Sequence, residues 1–382
     1  MTKRNFDVVV LSSVEWDAAW QRHHAFAAQW ATAGHRVFFV ENTGARNPRI
    51  GDLNRVAARL GRAWSSGSRT GAVQPDGVKV ISPLVLPPTN RFFSSVNARW
   101  LVPRLAAALR ARGLQSGPVV FVYLPTETTF QILDRLDGPL VVYDCADNVR
   151  GLPSPPLGFD EHEAKLIKRA ILVLTTSRTL FQDKKSLHAN VLELHHGVNS
   201  EFFLTPQTPG RHRRIAYFGT LWSALDYSAV RALADAGFQL TLIGPEKEPP
   251  PPLPSSIRRV GRLSHTALPG TLKDFDCLIL PYVDNEYNRG VIPAKVYECL
   301  ATGRPVLASP LPALKAVPEL AAVLRFARTP DEWVSAARAL DLDETAAKRD
   351  ARIAVARDHS EESAFSSLMS AVERARAGEW QP

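Results

Sequence analysis

The sequence NRGVIPAKVYECLATGRPVLAS, residues 288–309, predicts a helix followed by a short strand. Pro293 suits the first turn of a helix, because its missing N–H has no partner there in any case. Gly303 suits the left-handed residue just past a helix end, and Pro305 prevents the helix from continuing. The apolar letters VLA after Pro305 are typical of the start of a buried strand.

The predicted helix has two different faces. Val296, Cys299 and Leu300 recur at the i, i+3, i+4 spacing of an apolar face. Lys295 and Glu298 are also three residues apart, so they share the other face near the helix start. A lysine at an amide-rich helix N-terminus, with a carboxylate one turn on, could bind phosphate and a sugar diol. A capped surface helix with a solvated Lys–Glu pair fits the same spacing, since such pairs are common.

The length and composition indicate a soluble protein of two domains. A chain of 382 residues is long enough for two hydrophobic cores, and 45 % hydrophobic with 22 % charged residues is ordinary for such proteins. No stretch reaches the ~18 uncharged apolar residues of a membrane-spanning helix. The apolar run at 6–13 is too short for a signal peptide and predicts a first buried strand.

Cysteine usage indicates the cellular location, and the net charge indicates the kind of partner. Cys145, Cys277 and Cys299 are isolated and lack metal-ligand spacing, which favours a reduced cytoplasmic location. The net charge of +8 favours acidic partners. No zinc spacing, RRM signature or convincing helix-turn-helix is present, so we expect no nucleic acid partner. An anionic phospholipid surface and a phosphate-bearing substrate remain as alternatives.

Strand and helix patterns alternate along the chain, which predicts parallel α/β sheets. In the first half, strand patterns occur at 6–13, 35–42, 118–125, 139–148 and 171–177. The pattern restarts after a Pro-, Thr- and Arg-rich segment at 205–214, which we interpret as a linker. The domains are therefore predicted at 1–205 and 206–360, with a terminal helix at 361–382.

The loop after the first strand is rich in polar and aromatic side chains. It lacks a G-x-G-x-x-G dinucleotide fingerprint, but it carries Glu15, Trp16, Asp17, Arg22 and His23. Loops after the strands of an open parallel sheet border its ligand crevice. We therefore expect Trp16, Arg22 and His23 to form an acceptor wall, although a polar helix start with tryptophan packing fits the same residues.

Residues 53–113 contain Arg-rich amphipathic segments with aromatic residues between them. Phe92, Phe93 and Trp100 are interspersed with arginines, a composition that favours binding to an anionic membrane interface. A pair of solvated helices is the alternative.

Taken in order, several motifs resemble the GT-B glycosyltransferases, most closely the family 4 group (glycosyl transferases group 1). The second half carries IAYFGTL (215–221), LTLIGP (240–245), VGRLS (260–264), DCLILPY (276–282) and PAKVYECLATGRPVLAS (293–309). In the first half HHGVNSEFF (195–203) resembles the connection between the two domains of that family. WQRHHAFAAQWATAGHRVFFVEN (20–42) and VVYDCADN (141–148) resemble a subgroup that builds bacterial cell-surface polysaccharides. The match covers nearly the whole chain.

The resemblance implies two Rossmann-like domains with an interdomain cleft and a C-terminal helix that crosses back to the N-terminal domain. It implies transfer of a sugar from a UDP-, GDP- or dTDP-sugar to a glycan or lipid-linked acceptor, with retention of configuration. No metal and no cofactor beyond this co-substrate are implied. The implied location is cytoplasmic, with a peripheral position on the inner face of the cell membrane through residues 53–113 as an addition.

The resemblance also assigns the donor-binding residues. Glu298 would accept hydrogen bonds from the ribose hydroxyls. Gly219 and Thr220 lie where the family loop approaches the diphosphate, and a glycine lets the backbone come close. On neighbouring loops Gly244, with Arg262 and Leu263, would frame the base. We place Asn288 and Val291 in the same donor-binding group.

The sequence departs from the family pattern at two places. The family often has an acid eight positions before Glu298, where this chain has Gly290, so the sugar contact could fall to Glu286, Asn288 or the backbone. The family also often has an Arg and a Lys shortly after the Gly219 loop, and LWSALDY (221–227) has neither. We hypothesise that Arg289 and Lys295 supply the charge for the diphosphate instead.

Three carboxylates are candidates for the catalytic base. Asp147 ends a strand where related enzymes place a polar residue against the donor sugar, and Asp17 and Glu15 are its competitors. Two other functions remain as alternatives. A sugar-nucleotide epimerase shares this architecture, and a degenerate homologue would bind nucleotide or glycan without catalysis.

Overall fold

Two parallel β-sheets organise the computed structural model, which describes residues 6–41, 74–87, 90–204 and 213–380. One compact unit contains the described residues up to Thr175, Phe181–Glu193 and the chain from Leu368 onward. The other contains Thr176–Leu180 and Leu194–Ser367. The prediction of two α/β halves is therefore confirmed. Most of the predicted linker, residues 205–212, lies outside the described residues, so the proposed boundary at 205/206 stays a prediction.

Seven parallel strands of the described residues form the first sheet. They are β1 Val8–Leu11, β2 Val37–Val40, β3 Val78–Ile81, β4 Val119–Val122, β5 Leu140–Cys145, β6 Leu172–Thr175 and β7 Val191–Glu193. The strands lie in the order β3-β2-β1-β4-β5-β6-β7. From β1 the order runs outward to β3 on one side and through β4 to β7 on the other, so the point of reversal lies between β1 and β4. Strands β1, β2 and β4 are continuous apolar runs that are fully buried, as expected where helices cover both faces of a parallel sheet.

The helices of the first half follow the strands in the expected alternation. They are α1 Arg22–Thr32, α2 Arg91–Val96, α3 Val102–Ala111, α4 Glu127–Leu133, α5 Phe159–Arg169 and α6 Arg178–Lys185. A π-helical turn, Asn97–Leu101, joins α2 to α3, and a 3-10 turn follows β5 at Val149–Gly151.

Six parallel strands of the described residues form the second sheet. They are β8 Arg214–Phe218, β9 Gln239–Ile243, β10 Arg258–Arg259, β11 Cys277–Leu280, β12 Val306–Ala308 and β13 Arg325–Phe326. The order β10-β9-β8-β11-β12-β13 reverses between β8 and β11. In open sheets of this kind, ligands bind beyond the carboxyl ends of the strands at the point of reversal.

The helices of the second half complete the alternation. They are α7 Tyr227–Asp235, α8 Leu268–Leu272, α9 Glu286–Arg289, α10 Val296–Ala301, α11 Pro312–Lys315, α12 Pro318–Val323, α13 Pro330–Asp343, α14 Ala346–Asp358 and α15 Glu361–Ala377. A 3-10 turn precedes the predicted linker at Ser200–Phe202.

The helix predicted from 293 onward is shorter at its start than the sequence suggested. Pro293 lies in a turn, in which Val296 N donates to the Pro293 carbonyl at 2.9 Å, and α10 begins at Val296. The prediction for the other end is confirmed, since Gly303 has φ +71 just past the helix. Its apolar face is also confirmed, because Cys299 and Leu300 are fully buried.

The Arg-rich region, residues 53–113, is helical at α2, the π-helical turn and α3, and it also contains β3. Its residues 53–73 and 88–89 lie outside the described residues. Phe92 is 72 % exposed and Trp100 is 59 % exposed. Across the described ranges, no helix combines the length and apolar character needed to cross a bilayer.

The terminal helix α15 belongs to both units, with its residues from Leu368 onward in the first one. Near its end, the Arg376 guanidinium lies 4.1 Å from the centre of the Phe6 ring, just before β1. At its start, Glu361 N donates to the Val198 carbonyl at 3.0 Å. The predicted return of the terminal helix to the N-terminal half is therefore present.

Candidate functional site

Two glycines bring the loops after β8 and β9 into backbone contact. Gly219 follows β8 directly with φ +132, and Gly244 follows β9 with φ +146. Gly219 N donates to the Ile243 carbonyl at 2.8 Å. A Cβ atom on Gly244 would lie 2.0 Å from the Gly219 carbonyl oxygen, so a side chain has no room there. The contact places two residues without side chains at the carboxyl edge of the second sheet, with Gly219 half-buried and Gly244 buried.

Lys295 lies directly against this backbone. A Cβ atom on Gly219 would be 2.6 Å from Lys295 Nζ, which itself donates to the Tyr282 hydroxyl at 3.0 Å. Burial lowers the pKa of Lys295, but the Tyr282 hydroxyl and the Glu298 carboxylate raise it more, and the net pKa is above the ordinary 10.5. Lys295 is therefore an ammonium group at neutral pH, beside the half-buried backbone of Gly219.

Glu298 lies one turn along α10 and has a histidine partner. His265 Nε2 lies 3.1 Å from Glu298 Oε1, and the two side chains are 17 % and 19 % exposed. Burial lowers the pKa of His265, but the hydrogen bond and charge of Glu298, with smaller contributions from Glu361 and Glu201, raise the net pKa above 6.5. Positive and negative groups thus alternate along this edge, which suits a diphosphate beside a diol.

The other predicted donor-side charge has a different partner. Arg289 Nε donates to Asp284 Oδ1 at 2.6 Å, with both side chains at least half exposed. This hydrogen bond lowers the pKa of Asp284. The structure brings Lys295 to Gly219 and pairs Arg289 with Asp284, and the hypothesis that the two cations act together stays a prediction.

At the predicted sugar end, Asn288 and Gly290 make hydrogen bonds that hold the backbone of this loop. The Asn288 amide is buried and donates to the Val283 carbonyl at 2.8 Å, which fixes the loop after β11. The Gly290 carbonyl accepts a hydrogen bond from Ser177 Oγ at 2.7 Å. Val291 is 6 % exposed. Glu286, in the first turn of α9, and Asp284, just before that helix, are both exposed at this end.

The remaining predicted donor residues lie on loops at the same edge. The Thr220 carbonyl accepts from the Tyr217 hydroxyl at 3.1 Å, which holds the loop after Gly219. Arg262 is exposed and Leu263 is half-buried, both in the loop after β10 that also carries His265. The predicted base-binding loop and the predicted ribose carboxylate are therefore joined through His265.

At the carboxyl edge of the first sheet, a buried ion pair connects β5 with α1. Arg22 Nε donates to Asp144 Oδ2 at 2.8 Å, and the side chains are only 3 % and 0 % exposed. Burial, with the charge of Asp144 next, raises the pKa of Tyr123 well above 10. Buried charges of this kind are costly unless they are paired, so the pair is a fixed part of this edge.

His23 lies in the same group of side chains. Its ring stacks on Tyr123 with centroids 3.6 Å apart, and its Nδ1 lies 3.0 Å from Ser12 Oγ. Ser12 follows β1 and Tyr123 follows β4, so the group lies at the reversal point of the first sheet. Arg22 and His23 are both buried in this edge, so their role in an acceptor wall stays a prediction.

The placement of Trp16 agrees with the alternative interpretation of the sequence, in which the tryptophan packs near the helix start. The side chain is 2 % exposed and packs edge-to-face on Phe39 at 4.9 Å. Its backbone N–H donates to Glu41 Oε1 at 2.7 Å. Placing Trp16 on the surface of an acceptor wall is therefore corrected: the ring supports that wall from inside.

The three candidate bases differ in exposure. Asp147 is exposed after β5, whereas Glu15 and Asp17 are half-buried in the loop after β1. The Glu15 carbonyl lies 3.2 Å from His24 Nε2, which fixes this loop. The structure does not choose among the three, and the assignment of Asp147 stays a prediction. In the described part of the chain, no three His, Cys, Asp or Glu side chains group as metal ligands.

Several residues of these edges were not predicted from the sequence: His265, Tyr282, Tyr217, Tyr123 and Ser12. Tyr282 ends the apolar run DCLILPY, so a hydroxyl just past a strand was an available signal. His265 is 33 residues from Glu298, and nothing in its local sequence indicates the contact.

Known proteins match this chain in fold rather than in sequence. No family model matches the chain, and no curated protein matches it. Sucrose-phosphate synthase from Thermosynechococcus elongatus superposes with a TM-score of 0.65 at 15 % identity, covering 98 % of this chain and 100 % of that one. HepE of Anabaena, solved with UDP and glucose, gives 0.65 at 12 % identity, over 97 % and 100 %.

A third structure agrees with these two. Alpha,alpha-trehalose 6-phosphate synthase from Burkholderia multivorans gives a TM-score of 0.61 at 12 % identity, covering 98 % of this chain and 100 % of that chain. Identities this low define the fold alone. The chain therefore has the GT-B glycosyltransferase fold, with two Rossmann-like domains.

Proposed function

We propose that the protein is a glycosyltransferase that moves a sugar from a nucleoside diphosphate sugar to a glycan or lipid-linked acceptor. The observation that carries the proposal is the meeting of Gly219, Gly244, Lys295 and Glu298 at the carboxyl edge of the second sheet. Bare backbone and an ammonium group suit a diphosphate, and a carboxylate suits a ribose diol. HepE, of the same fold, was solved with UDP-glucose, which supports a nucleotide sugar as the donor.

The chemistry of the proposal follows from the leaving group. When the sugar–phosphate bond breaks, negative charge develops on the departing diphosphate. A fixed ammonium group beside it, held by the Tyr282 hydroxyl, is worth more in the transition state than in the ground state. Lys295 therefore fills the role that an Arg and a Lys after the Gly219 loop play in the resembling family.

The acceptor hydroxyl needs a base or a hydrogen-bond acceptor. We propose Asp147 for this role, since it is an exposed carboxylate following β5. The buried Arg22–Asp144 pair and the His23–Tyr123 stack would hold the surrounding edge in one arrangement. Retention of configuration and independence of metal are further parts of this proposal and follow from the family resemblance.

The acceptor is proposed to be lipid-linked, in bacterial surface-polysaccharide synthesis, because the first half carries a basic aromatic surface. From residue 77 to 126 the sequence has no Asp or Glu, but it has six basic residues: Lys79, Arg91, Arg99, Arg104, Arg110 and Arg112. Phe92 and Trp100 are exposed on the same helical segment. Cations with exposed aromatic rings suit an anionic membrane face, and we propose a peripheral position there for an otherwise cytoplasmic enzyme.

Incubation with a panel of UDP-, GDP- and dTDP-sugars, with and without lipid-linked acceptors, tests the proposal. A transferase releases nucleoside diphosphate, and release increases when the correct acceptor is present. An epimerase would change the sugar without an acceptor, and a binding protein would do neither. Absence of release with every donor, together with nucleotide binding, would favour the non-catalytic alternative.

A further inference from the structure

We infer that His265 is a positioning residue for Glu298: it fixes one carboxylate oxygen and thereby presents the other to the ribose diol. This inference rests on the proposed function, because it concerns how the nucleotide is bound. It goes further by assigning a role to a residue outside the motifs that the sequence singled out.

The hydrogen bond between His265 and Glu298 determines which carboxylate oxygen of Glu298 is left for a ligand. An ionised carboxylate can only accept hydrogen bonds, so His265 Nε2 carries the proton and donates to Glu298 Oε1 at 3.1 Å. That leaves Oε2 with both of its lone pairs for two sugar hydroxyls. A free glutamate has three rotatable side-chain bonds, and fixing them in advance reduces the entropy lost when the ligand binds.

His265 is itself held in place from a different element. Its ring centroid lies 5.1 Å from that of Phe202, which is fully buried in the 3-10 turn after Asn199. An exposed histidine would lose its orientation between ligand encounters. Here both partners of the hydrogen bond are largely buried, so the geometry persists in the absence of nucleotide.

The charges around His265 favour the donor form of the ring. Glu298 faces it from α10, Glu361 from the start of α15 and Glu201 from the turn Ser200–Phe202, and all three favour the imidazolium form. Glu361 has its own partner, since Asn199 Nδ2 donates to its Oε2 at 3.2 Å. Glu298 therefore remains the carboxylate to which Nε2 is hydrogen-bonded.

The experiment compares ribose with deoxyribose. Binding of UDP and 2′-deoxy-UDP is measured by calorimetry for the wild type, His265→Leu, His265→Gln and Glu298→Gln, with thermal unfolding as the check on folding. If the wild type prefers GDP, the pair is GDP and 2′-deoxy-GDP. We expect the wild type to bind the ribose form at least tenfold more tightly.

The variants then separate positioning from structural support. His265→Leu removes the donor and should reduce the ribose preference to the level of Glu298→Gln, and combining the two changes should reduce it no further. His265→Gln, whose amide can donate from nearly the same position, should retain most of the preference. An unchanged preference in His265→Leu, with both nucleotides weakened equally, would overturn the inference.

Two other outcomes are distinguishable. A wild type that binds nucleotide but does not prefer ribose would overturn this inference and leave the transferase proposal standing. A wild type that binds no nucleoside diphosphate would overturn the proposed function and this inference together.

Discussion

The carbonyl oxygen of Gly219 occupies the space that a side chain on Gly244 would need, because a Cβ atom there would lie only 2.0 Å from that oxygen. The loops after β8 and β9 can meet only because both residues are glycines at positive φ. The half-buried backbone of Gly219 thereby lies at the edge of the sheet with no side chain of its own to cover it. The contact is therefore a requirement of the site as well as of the fold.

Gly244→Ala should destabilise the protein and abolish donor binding. Its φ of +146 strains any other residue, and the new methyl group collides with backbone that cannot rotate away. We expect a loss of about 3 kcal/mol or more in the free energy of unfolding. Urea unfolding and calorimetry with UDP measure the two effects.

Gly237→Ala is the matched control. Gly237 also has positive φ, at +89, but a Cβ atom there would meet nothing within 4 Å. It should lose about 1–2 kcal/mol from the backbone conformation alone and bind UDP normally. Equal losses in the two variants would show that the contact with Gly219 is unimportant.

Lys295→Met should weaken binding of the diphosphate while keeping the aliphatic packing of the side chain. The lost charge-assisted hydrogen bonds correspond to about 1.5–3 kcal/mol, or roughly tenfold to a hundredfold in Kd. Binding of UDP and of uridine should be compared by calorimetry, since uridine lacks the phosphates. The loss should appear with UDP alone.

Arg289→Ala provides the comparison for that variant. Arg289 is exposed and paired with Asp284, so its removal should change the Kd for UDP less than about threefold. An equal loss in both variants would support the hypothesis that the two cations act together. Normal UDP binding by Lys295→Met would rule out a phosphate role for Lys295.

Much of the fold was accessible from the sequence, because it depends on local pattern. Continuous apolar runs such as VVVL at β1 define buried parallel strands, and Gly303 defines a helix end. The helix start predicted at Pro293 was wrong by one turn, because proline also suits the tight turn that precedes α10. The glycines of the donor edge were predicted through the motifs that contain them.

The contacts within the site were less accessible, because they join distant parts of the chain. The segment VVYDCADN contains both Asp144 and Asp147, and its local sequence does not distinguish them. Asp144 is the buried one, and its partner Arg22 lies 122 residues earlier in the chain. The Glu298–His265 contact depends in the same way on the path of the loop after β10. Sequence spacing within one helix predicted the carboxylate, but spacing cannot predict its partner.

Asp144→Asn and Asp147→Asn should therefore have opposite consequences. Replacing Asp144 leaves the Arg22 charge buried without its counter-ion, which typically costs about 3–5 kcal/mol. Asp147 is exposed, so its replacement should change stability by less than about 0.5 kcal/mol while lowering turnover. Urea unfolding and steady-state kinetics separate the effects, and full turnover by Asp147→Asn would remove it as the base.

Binding to membranes should depend on Phe92 and Trp100. Each buried large apolar side chain contributes about 1.5–3 kcal/mol, so the double alanine variant should bind anionic vesicles at least tenfold more weakly. Flotation with phosphatidylcholine vesicles, with and without phosphatidylglycerol, measures the binding. Leu342→Ala is the control, because Leu342 is 91 % exposed in the second unit. Equal flotation of all three proteins would contradict the membrane proposal.

The stability contributed by His265 should vary with pH in a direction set by its raised pKa. A histidine whose folded pKa exceeds 6.5 adds stability that is complete below that value and is lost as the pH rises through the folded pKa. The difference in Tm between wild type and His265→Gln should therefore be larger at pH 6 than at pH 8.5. Thermal unfolding across this range, at constant ionic strength, measures it.

His359 supplies a control of opposite sign. Burial, with the nearby His195 next, lowers the pKa of His359, so the native state resists its protonation and loses stability as the pH falls below 6.5. His359→Gln removes that loss, and its Tm relative to the wild type should therefore rise between pH 8.5 and pH 6. If both variants showed the same dependence of Tm on pH, neither histidine would determine that dependence. The imidazolium–carboxylate pair of His265 and Glu298 would then contribute no measurable stability.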